Sequence, residues 1–420
     1  ITVLEGQYGQ VKVSNTSGLN PALPLALLGG LKPGEVIARP ALEKHLLLLS
    51  EVPGVRVRSS LVPGHSVGVS DLMVDIVPGP VFNASVDADN AGSPYTGVNR
   101  IGATVQMNNP AGQGDLLTLR GLTSGAGLGY ARVAYQTPVG RGQVGLAYSE
   151  LAYDIGQEFS GLQANGQAHT ASVFGFYPLI YSGQNKLKLG GSLDSKRFLD
   201  RRSAVLSVVD KRVQVATLSL VGEQRGLLGV GGLSHYFLAW SLGKLQAPST
   251  QSLQGDAAAF SRVRYNKLAF AASHQQPGTA DLTYWASLSG QVGSRRLDVS
   301  EKMALGGMNG VRAYAEGEAY ADDALLLTLE VRKPWQLITR LPGRVHVAAF
   351  VDVAVGAVKD EPGAAPEARR QLSAAGVGLY WTRSQTFSVK AFYAWKWGHS
   401  GATSATDHAG RFGLQAVRYF

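Results

Sequence analysis

From Val81 to Phe420 the chain shows no convincing long helix. Apolar residues instead occupy every second position, in runs of about ten residues separated by turn-rich stretches. In Leu325–Trp335, Leu325, Leu327, Leu329, Val331 and Trp335 share one face, while Thr328, Glu330 and Arg332 share the other. Val345–Val355 repeats the pattern, apolar at odd positions, with Arg344, His346 and Asp352 opposite. In Phe387–Trp397 the odd positions are Phe, Val, Ala, Tyr, Trp and Trp, and Lys390 and Lys396 lie opposite. Read from Phe82–Asp89 to Arg411–Phe420, the pattern predicts about sixteen strands, an even number suited to a closed antiparallel barrel. One run, Ala257–Tyr265, meets a change of parity near Asn266 within Ser261–Phe270, which predicts a turn or bulge there.

An alternating strand fits two environments. In a soluble sandwich the charged face meets water and the apolar face a core. In a membrane barrel the apolar face meets lipid and the charged face lines a wet lumen. The number, length and aromatic ends of the strands favour the barrel. Only 16% of residues are charged, low for a soluble chain of 420 residues, and glycine is abundant at 52. No stretch reaches the roughly 18 apolar residues that a spanning helix needs. The expected fold is therefore mainly β: a transmembrane antiparallel β-barrel of about sixteen strands, preceded by one α+β domain. A barrel must be exported, so a chain beginning at Ile1 is expected to have a mature or truncated N-terminus.

Residues 1–79 form that smaller domain, and residues 80–420 the barrel. Gly9, Val11 and Val13 alternate with Gln10, Lys12 and Ser14 as a half-buried strand. Helices are expected over Pro21–Leu28 and Ala41–Leu49, the second with Leu42, Leu46 and Leu49 on one face. After Pro53-Gly54 comes a strand with Val55 and Val57 inward and Arg56 and Arg58 outward. After Pro63-Gly64 comes another with Leu72, Val74 and Ile76 on one face. The order is βααββ.

Within the barrel one stretch breaks the alternation: Leu305-Gly306-Gly307-Met308-Asn309-Gly310-Val311-Arg312-Ala313-Tyr314. Three glycines allow tight folding or close approach to a wall. A guanidinium taken out of water needs a carboxylate partner. If the flanking strands close, a loop over about 296–322 can fold back into the lumen. Strand parity puts Asp352 on the lumen side and Glu330 as well, so either can receive Arg312, while Tyr314 is expected to pack against the wall.

No enzyme is expected. The chain lacks a Gly-x-Ser-x-Gly elbow, a phosphate loop and any cysteine, and its eight histidines show no metal-ligand spacing. No metal and no cofactor are therefore expected. Asp322-Asp323 starts a strand and reads as a solvated turn. The net charge of +9 suits a solvated surface, contact with anionic lipid head groups or a basic channel lining. No basic cluster is interleaved with aromatics, so nucleic acid is not an expected partner.

Taken in order, several short motifs resemble a known family. Leu31-Lys32-Pro33-Gly34, Leu42-Glu43 through Leu49, Pro53-Gly54-Val55 and the stretch from Gly68 to Leu72 are similar to a membrane-proximal polypeptide-transport-associated (POTRA) domain. Asp89-Asn90-Ala91-Gly92 and Thr96-Gly97 look like a first barrel strand and hairpin. Gly306-Gly307 with Val311-Arg312-Ala313-Tyr314 resembles the lumen-loop motif of the BamA-like outer-membrane superfamily. Together they resemble two-partner secretion transporters, the TpsB family. The family usually has Gly where this chain has Ala313, and alanine resists φ > 0.

The resemblance implies an outer-membrane pore with its POTRA domain in the periplasm. It would take an unfolded exoprotein through the barrel to the cell surface without nucleotide hydrolysis. In the family the loop arginine pairs with a strand aspartate, which here resembles Asp352. The POTRA edge bearing Arg56 and Arg58, with the helix over Pro21–Leu28, is the expected capture site. Other expected partners are outer-membrane lipids including lipopolysaccharide, and the barrel assembly machinery for insertion; the pore is expected to be a monomer. A plug helix, a linker and a first POTRA domain commonly precede this segment in the family, so the chain is expected either to be truncated to the membrane-proximal part or to be a shorter member. The alternative is an outer-membrane insertase of the BamA type. A passive porin is disfavoured, because neither a POTRA domain nor an inward loop serves simple diffusion.

Overall fold

The computed structural model describes residues 5–205, 207–246, 263–335, 342–359, 369–398 and 400–420. The N-terminal part follows the order β1 (Gln7–Asn15), α1 (Ala22–Leu28), α2 (Arg39–Ser50), β2 (Val55–Pro63) and β3 (Val69–Pro78). Pro40 lies in the first turn of α2, where its missing N–H costs no helical hydrogen bond. Strand β3 is central, parallel to β1 and antiparallel to β2. Its Leu72, Val74 and Ile76 bury against Leu27, Leu28 and Leu49 of the two helices. Period two on the strand and period 3.6 on the helices thus converge on one small core.

The rest closes into a ring of sixteen antiparallel strands, from Phe82–Asp89 to Gly410–Tyr419. The shortest turns, such as 140–141 and 182–184, lie on the side of the N-terminal domain, and the longest connection among the described residues, 294–322, lies on the far side. Three consecutive strands, Ala164–Tyr181, Asn185–Arg202 and Ser207–Arg225, run 18, 18 and 19 residues. They exceed the runs of about ten that the sequence suggested, because alternation continues past the apolar band on charged side chains. The two ends of the sheet meet over only five residue pairs, Gln415↔Asp89 to Tyr419↔Ser85. Asn90 extends this seam: its side-chain oxygen accepts from Leu414 N at 2.8 Å, and its N–H donates to Leu414 O at 3.1 Å.

The strand Val263–Pro277 corrects one expectation. It pairs without a break with Leu233–Gln246, Asn266 lying opposite Leu242, so Asn266 carries neither turn nor bulge. Parity changes for another reason. Tyr265 points inward to a cluster with Val213, Val215, Leu245 and Leu297, and Leu268 points outward. The apolar side moves from lumen to lipid while the backbone continues. Residues 257–262 of the expected run lie outside the described residues.

Several rungs place a glycine opposite an aromatic: Gly222 and Tyr236, Gly243 and Tyr265, Gly376 and Phe350, Gly413 and Phe392. A Cβ at each of these glycines would collide with the ring. The glycines make room for rings to lie across the sheet.

The domain rests on the barrel rim. Asn20 N donates to Gly112 O at 2.7 Å, and Asn20 Nδ2 to Gln113 Oε1 at 3.0 Å. Glu51, just after α2, takes Lys186 at 2.8 Å and Lys188 at 3.4 Å. Gly54 has φ +77° and approaches Asn108–Asn109 so closely that a Cβ would lie 3.0 Å from that of Asn109. Glycine is needed there on both counts.

Candidate functional site: a lumen loop held by Arg312

The segment between the strands Thr283–Gly293 and Asp323–Pro334 folds inward as a hairpin. Met303–Ala304 pairs antiparallel with Tyr320–Ala321 at its base. At the tip, Gly307 N donates to Tyr314 O at 3.2 Å and Val311 N to Leu305 O at 2.8 Å. Gly307 carries the positive φ of the tip, +101°, and Ala313 does not lie in the left-handed region. Alanine at 313 therefore fits without strain. Leu305, Val311, Ala313 and Tyr314 are buried against Phe350, Ala354, Leu372 and Phe392 of the wall.

Arg312 is the centre of this packing. Its Nε and Nη2 donate to the two oxygens of Asp352 at 2.8 and 2.9 Å, and its backbone N–H adds a bond of 3.2 Å. Its Nη1 donates to Glu330 at 3.1 Å. The guanidinium lies over the Phe350 ring, 3.2 Å from its centre, with the Phe392 ring centre at 5.8 Å. Arg312 is 4% exposed and Asp352 0%. Glu330 also receives Arg332 Nε at 2.6 Å and Tyr380 Oη at 3.0 Å. The sequence left Asp352 and Glu330 as alternatives; Arg312 takes both. Arg312 and Arg332 meet Asp352 and Glu330 inside the cluster, the pairing that keeping charge out of water requires, and Lys390 stands close by over the Tyr380 and Phe392 rings.

Strand parity explains who meets whom. Glu330 lies opposite Phe350, and Thr328 opposite Asp352, so both carboxylates and one aromatic emerge on the lumen side at neighbouring rungs. Phe350 and Phe392 did not stand out as site residues. Each is an aromatic on the polar face of its run, near Asp352 or between Lys390 and Lys396, and that misplacement was a readable signal.

The loop has further tethers. Glu301, buried, takes Lys196 at 2.6 Å and Lys267 at 2.8 Å, and Asp298 takes Lys211 at 2.9 Å. Glu318 receives Arg370 at 2.6 Å, plus the backbone and hydroxyl groups of Thr403 and Ser404. Tyr314 packs inside, 1% exposed, and its hydroxyl donates to Ser400 O at 2.7 Å. Arg411 of the last strand donates to Tyr314 O at 2.7 Å and to Asn90 O at 3.2 Å, joining the loop to both sides of the seam. Asp322 is no solvated turn. It is fully buried and accepts from Leu297 N and Lys359 N, both at 2.8 Å, because it closes the loop where it re-enters the wall.

Arg56 and Arg58 are exposed on β2, an edge strand, remote from the loop. The helix packed against β2 is α2; α1 packs on α2 and sets Leu23 against the barrel turn at Gly114. That docking removes α1 from the expected capture edge. Among the described residues no cluster of three or more His, Asp or Glu is arranged to hold a metal; His399 lies outside them.

A sixteen-stranded ring, an N-terminal βααββ domain and an arginine-anchored inward loop define a transmembrane β-barrel joined to a small α+β domain. The family model described as haemolysin secretion/activation protein ShlB/FhaC/HecB matches residues 68–381, and the chain belongs to this family of two-partner secretion transporters. The heme/hemopexin transporter protein HuxB of Haemophilus influenzae is 27% identical over 337 residues, covering 79% of this chain. The chain spans 59% of the length of that relative. Among solved structures, CdiB from Escherichia coli matches with TM-score 0.80 and 21% identity, over 100% of this chain and 77% of that one. BamA from Haemophilus ducreyi lacking POTRA domains 1–3 is a more distant likeness, TM-score 0.61 at 14% identity, over 99% of this chain and 85% of that one. The protein is an outer-membrane β-barrel.

Proposed function

We propose that the chain forms the membrane-proximal part of a pore that carries an unfolded exoprotein to the cell surface, with residues 1–79 as a periplasmic POTRA domain and 80–420 as the channel. The observation that carries this reading is the loop at about 296–322, held within the lumen by Arg312 on Asp352 and Glu330. A protein-sized path requires an obstruction that is anchored and releasable, and electrostatic anchors on a hairpin supply one. Gly306, Gly307 and Val311 shape its tip, and Tyr314 fastens it. β2 is an edge strand, with no partner strand beyond it among the described residues. An extended cargo can add there through main-chain hydrogen bonds, with Arg56 and Arg58 beside it.

The barrel works as a monomer without enzymatic activity, is inserted by the barrel assembly machinery, and meets lipopolysaccharide in the outer leaflet. The sequence carries no phosphate-loop motif, and the free energy for export comes from the cargo folding outside. The family match and the nearer likeness to CdiB than to BamA favour secretion over insertion. The test is secretion of a candidate exoprotein, encoded by a neighbouring gene, by a strain carrying Arg312→Ala. A strong loss of secreted cargo is expected; undiminished secretion through a stable barrel would remove the loop from the mechanism.

A further inference from the structure

The inward charges hold the loop, but the outer wall carries cations that neither the loop nor the seam uses. On the strands Asn185–Arg202, Ser207–Arg225, Leu233–Gln246 and Val263–Pro277, outward positions form rows across the ladder. One row reads Gly191, Leu218, Trp240, Leu268 and is apolar throughout. Four residues further along each strand, away from the N-terminal domain, the row reads Ser195, Gln214, Lys244, Arg264. Arg197 and Arg212 face each other one step beyond. Arg197 is satisfied by Asp210 at 2.7 Å. Lys244 and Arg264 form no ion pair among the described residues, while Arg212 shares the field of Asp210 with Arg197.

The wall beneath them is concave. Small outward side chains at Ala171 and Ala216, between Leu193 and Leu242, leave a groove of 760 Å³ that reaches Lys244 and Arg264 at one end. It continues into a second groove of 520 Å³ along Gly175, Gly191, Leu218 and Trp240. The surface is thus an apolar trough headed by Lys244 and Arg264, with Arg212 in the next row beyond.

Resting on the reading above that the barrel meets lipopolysaccharide, we infer that this face is a binding site for it. Arg212, Lys244 and Arg264 take a phosphate of the lipid A head group, and the trough seats an acyl chain. The cations lie at the strand ends opposite the domain, the cell-surface side in the proposed orientation, so the glycolipid of the outer leaflet is the lipid within reach. Clustered basic residues beside a bilayer attract anionic head groups. A trough lined by glycine and alanine also admits a chain that a wall of branched side chains would hold off.

The test uses the full chain purified in detergent, titrated with bisphosphorylated lipid A, monophosphoryl lipid A and phosphatidylglycerol. Bound lipid is read by native mass spectrometry and fold by heat-modifiable mobility. Wild type should prefer bisphosphorylated lipid A, and the triple variant Arg212→Gln, Lys244→Gln, Arg264→Gln should lose more than about tenfold in affinity. Ala216→Trp, which fills the trough without changing charge, should weaken binding while keeping its salt dependence. If the triple variant does not fold, Lys244→Gln and Ala216→Trp singly decide. Undiminished binding by folded variants, or equal binding of phosphatidylglycerol, overturns the site while leaving general lipopolysaccharide contact standing. Failure of wild type to bind lipid A overturns both.

Discussion

The lumen loop meets the wall at two ends with opposite charge. At the tip the loop is basic and the wall acidic: Arg312 is enclosed by Asp352, Glu330 and an aromatic face, all but sealed from water. At the entry the loop is acidic and the wall basic: Glu301 is buried, but its partners Lys196 and Lys267 remain 23% and 16% exposed. The tip uses a planar fork that matches a carboxylate in two bonds; the entry uses flexible ammonium groups. The difference teaches that the tip is a fixed point and the entry an adjustable one. Removing one partner from a sealed cluster strands a charge, whereas a half-wet pair lets water replace what is lost.

The comparison breaks hardest at Asp352. Asp352→Ala leaves Arg312 in a dry site with one carboxylate, a cost of about 3–5 kcal/mol. Limited proteolysis within the hairpin should become much faster while the barrel keeps its heat-modifiable mobility. Unchanged protection would show that packing, not charge, fixes the tip.

A reciprocal exchange sharpens the point. Arg312→Asp combined with Asp352→Arg should recover part of the protection that either change alone destroys. If both singles are harmful and the pair gains nothing, Glu330 is the dominant partner.

At the entry, Glu301→Gln should cost only about 1 kcal/mol, typical of a partly solvated pair. High salt should loosen the wild-type entry and leave the variant unaffected, with the tip insensitive in both. An entry as salt-resistant as the tip would erase the contrast.

The smallest effect lies outside the membrane. The Gln10 N–H on Asp71, with Lys12 beside it, holds that carboxyl below its ordinary value. Its contribution is present above the ordinary carboxylate range and is lost as pH falls through the lowered value. An NMR titration of Asp71 should therefore have its midpoint below that of an ordinary aspartate, and Lys12→Ala should move it only slightly, since the backbone bond is the larger cause.

Much of this was legible because period-two alternation has one meaning at a time. The runs Leu325–Trp335 and Val345–Val355 assign Glu330 and Asp352 to the lumen by parity alone, and the pairing Thr328↔Asp352 follows the same parity. The reading failed where the two faces exchange chemistry. Tyr265 turns inward to an apolar pocket made by Leu297 of a distant loop, so the lumen is locally dry and the pattern inverts along an unbroken strand. Asp322 misled for a related reason: a carboxylate beside a turn is usually wet, and only the returning backbone at Leu297 and Lys359 makes this one buried. Both depend on contacts between residues far apart in sequence, which periodicity does not carry.

The Arg312 cluster also constrains how this chain can change over generations. Its members come from a loop and from four strands, through Glu330, through Phe350 with Asp352, through Tyr380 and through Phe392. A single substitution at either carboxylate leaves a buried charge short of a partner, so neutral drift has no one-step path out of the arrangement. Outward positions such as Leu325, Leu327 and Leu329 are exposed on the outer wall and can exchange one apolar residue for another freely. Descendants of this sequence should therefore diverge fastest on the outside of the barrel and slowest around one guanidinium at its centre.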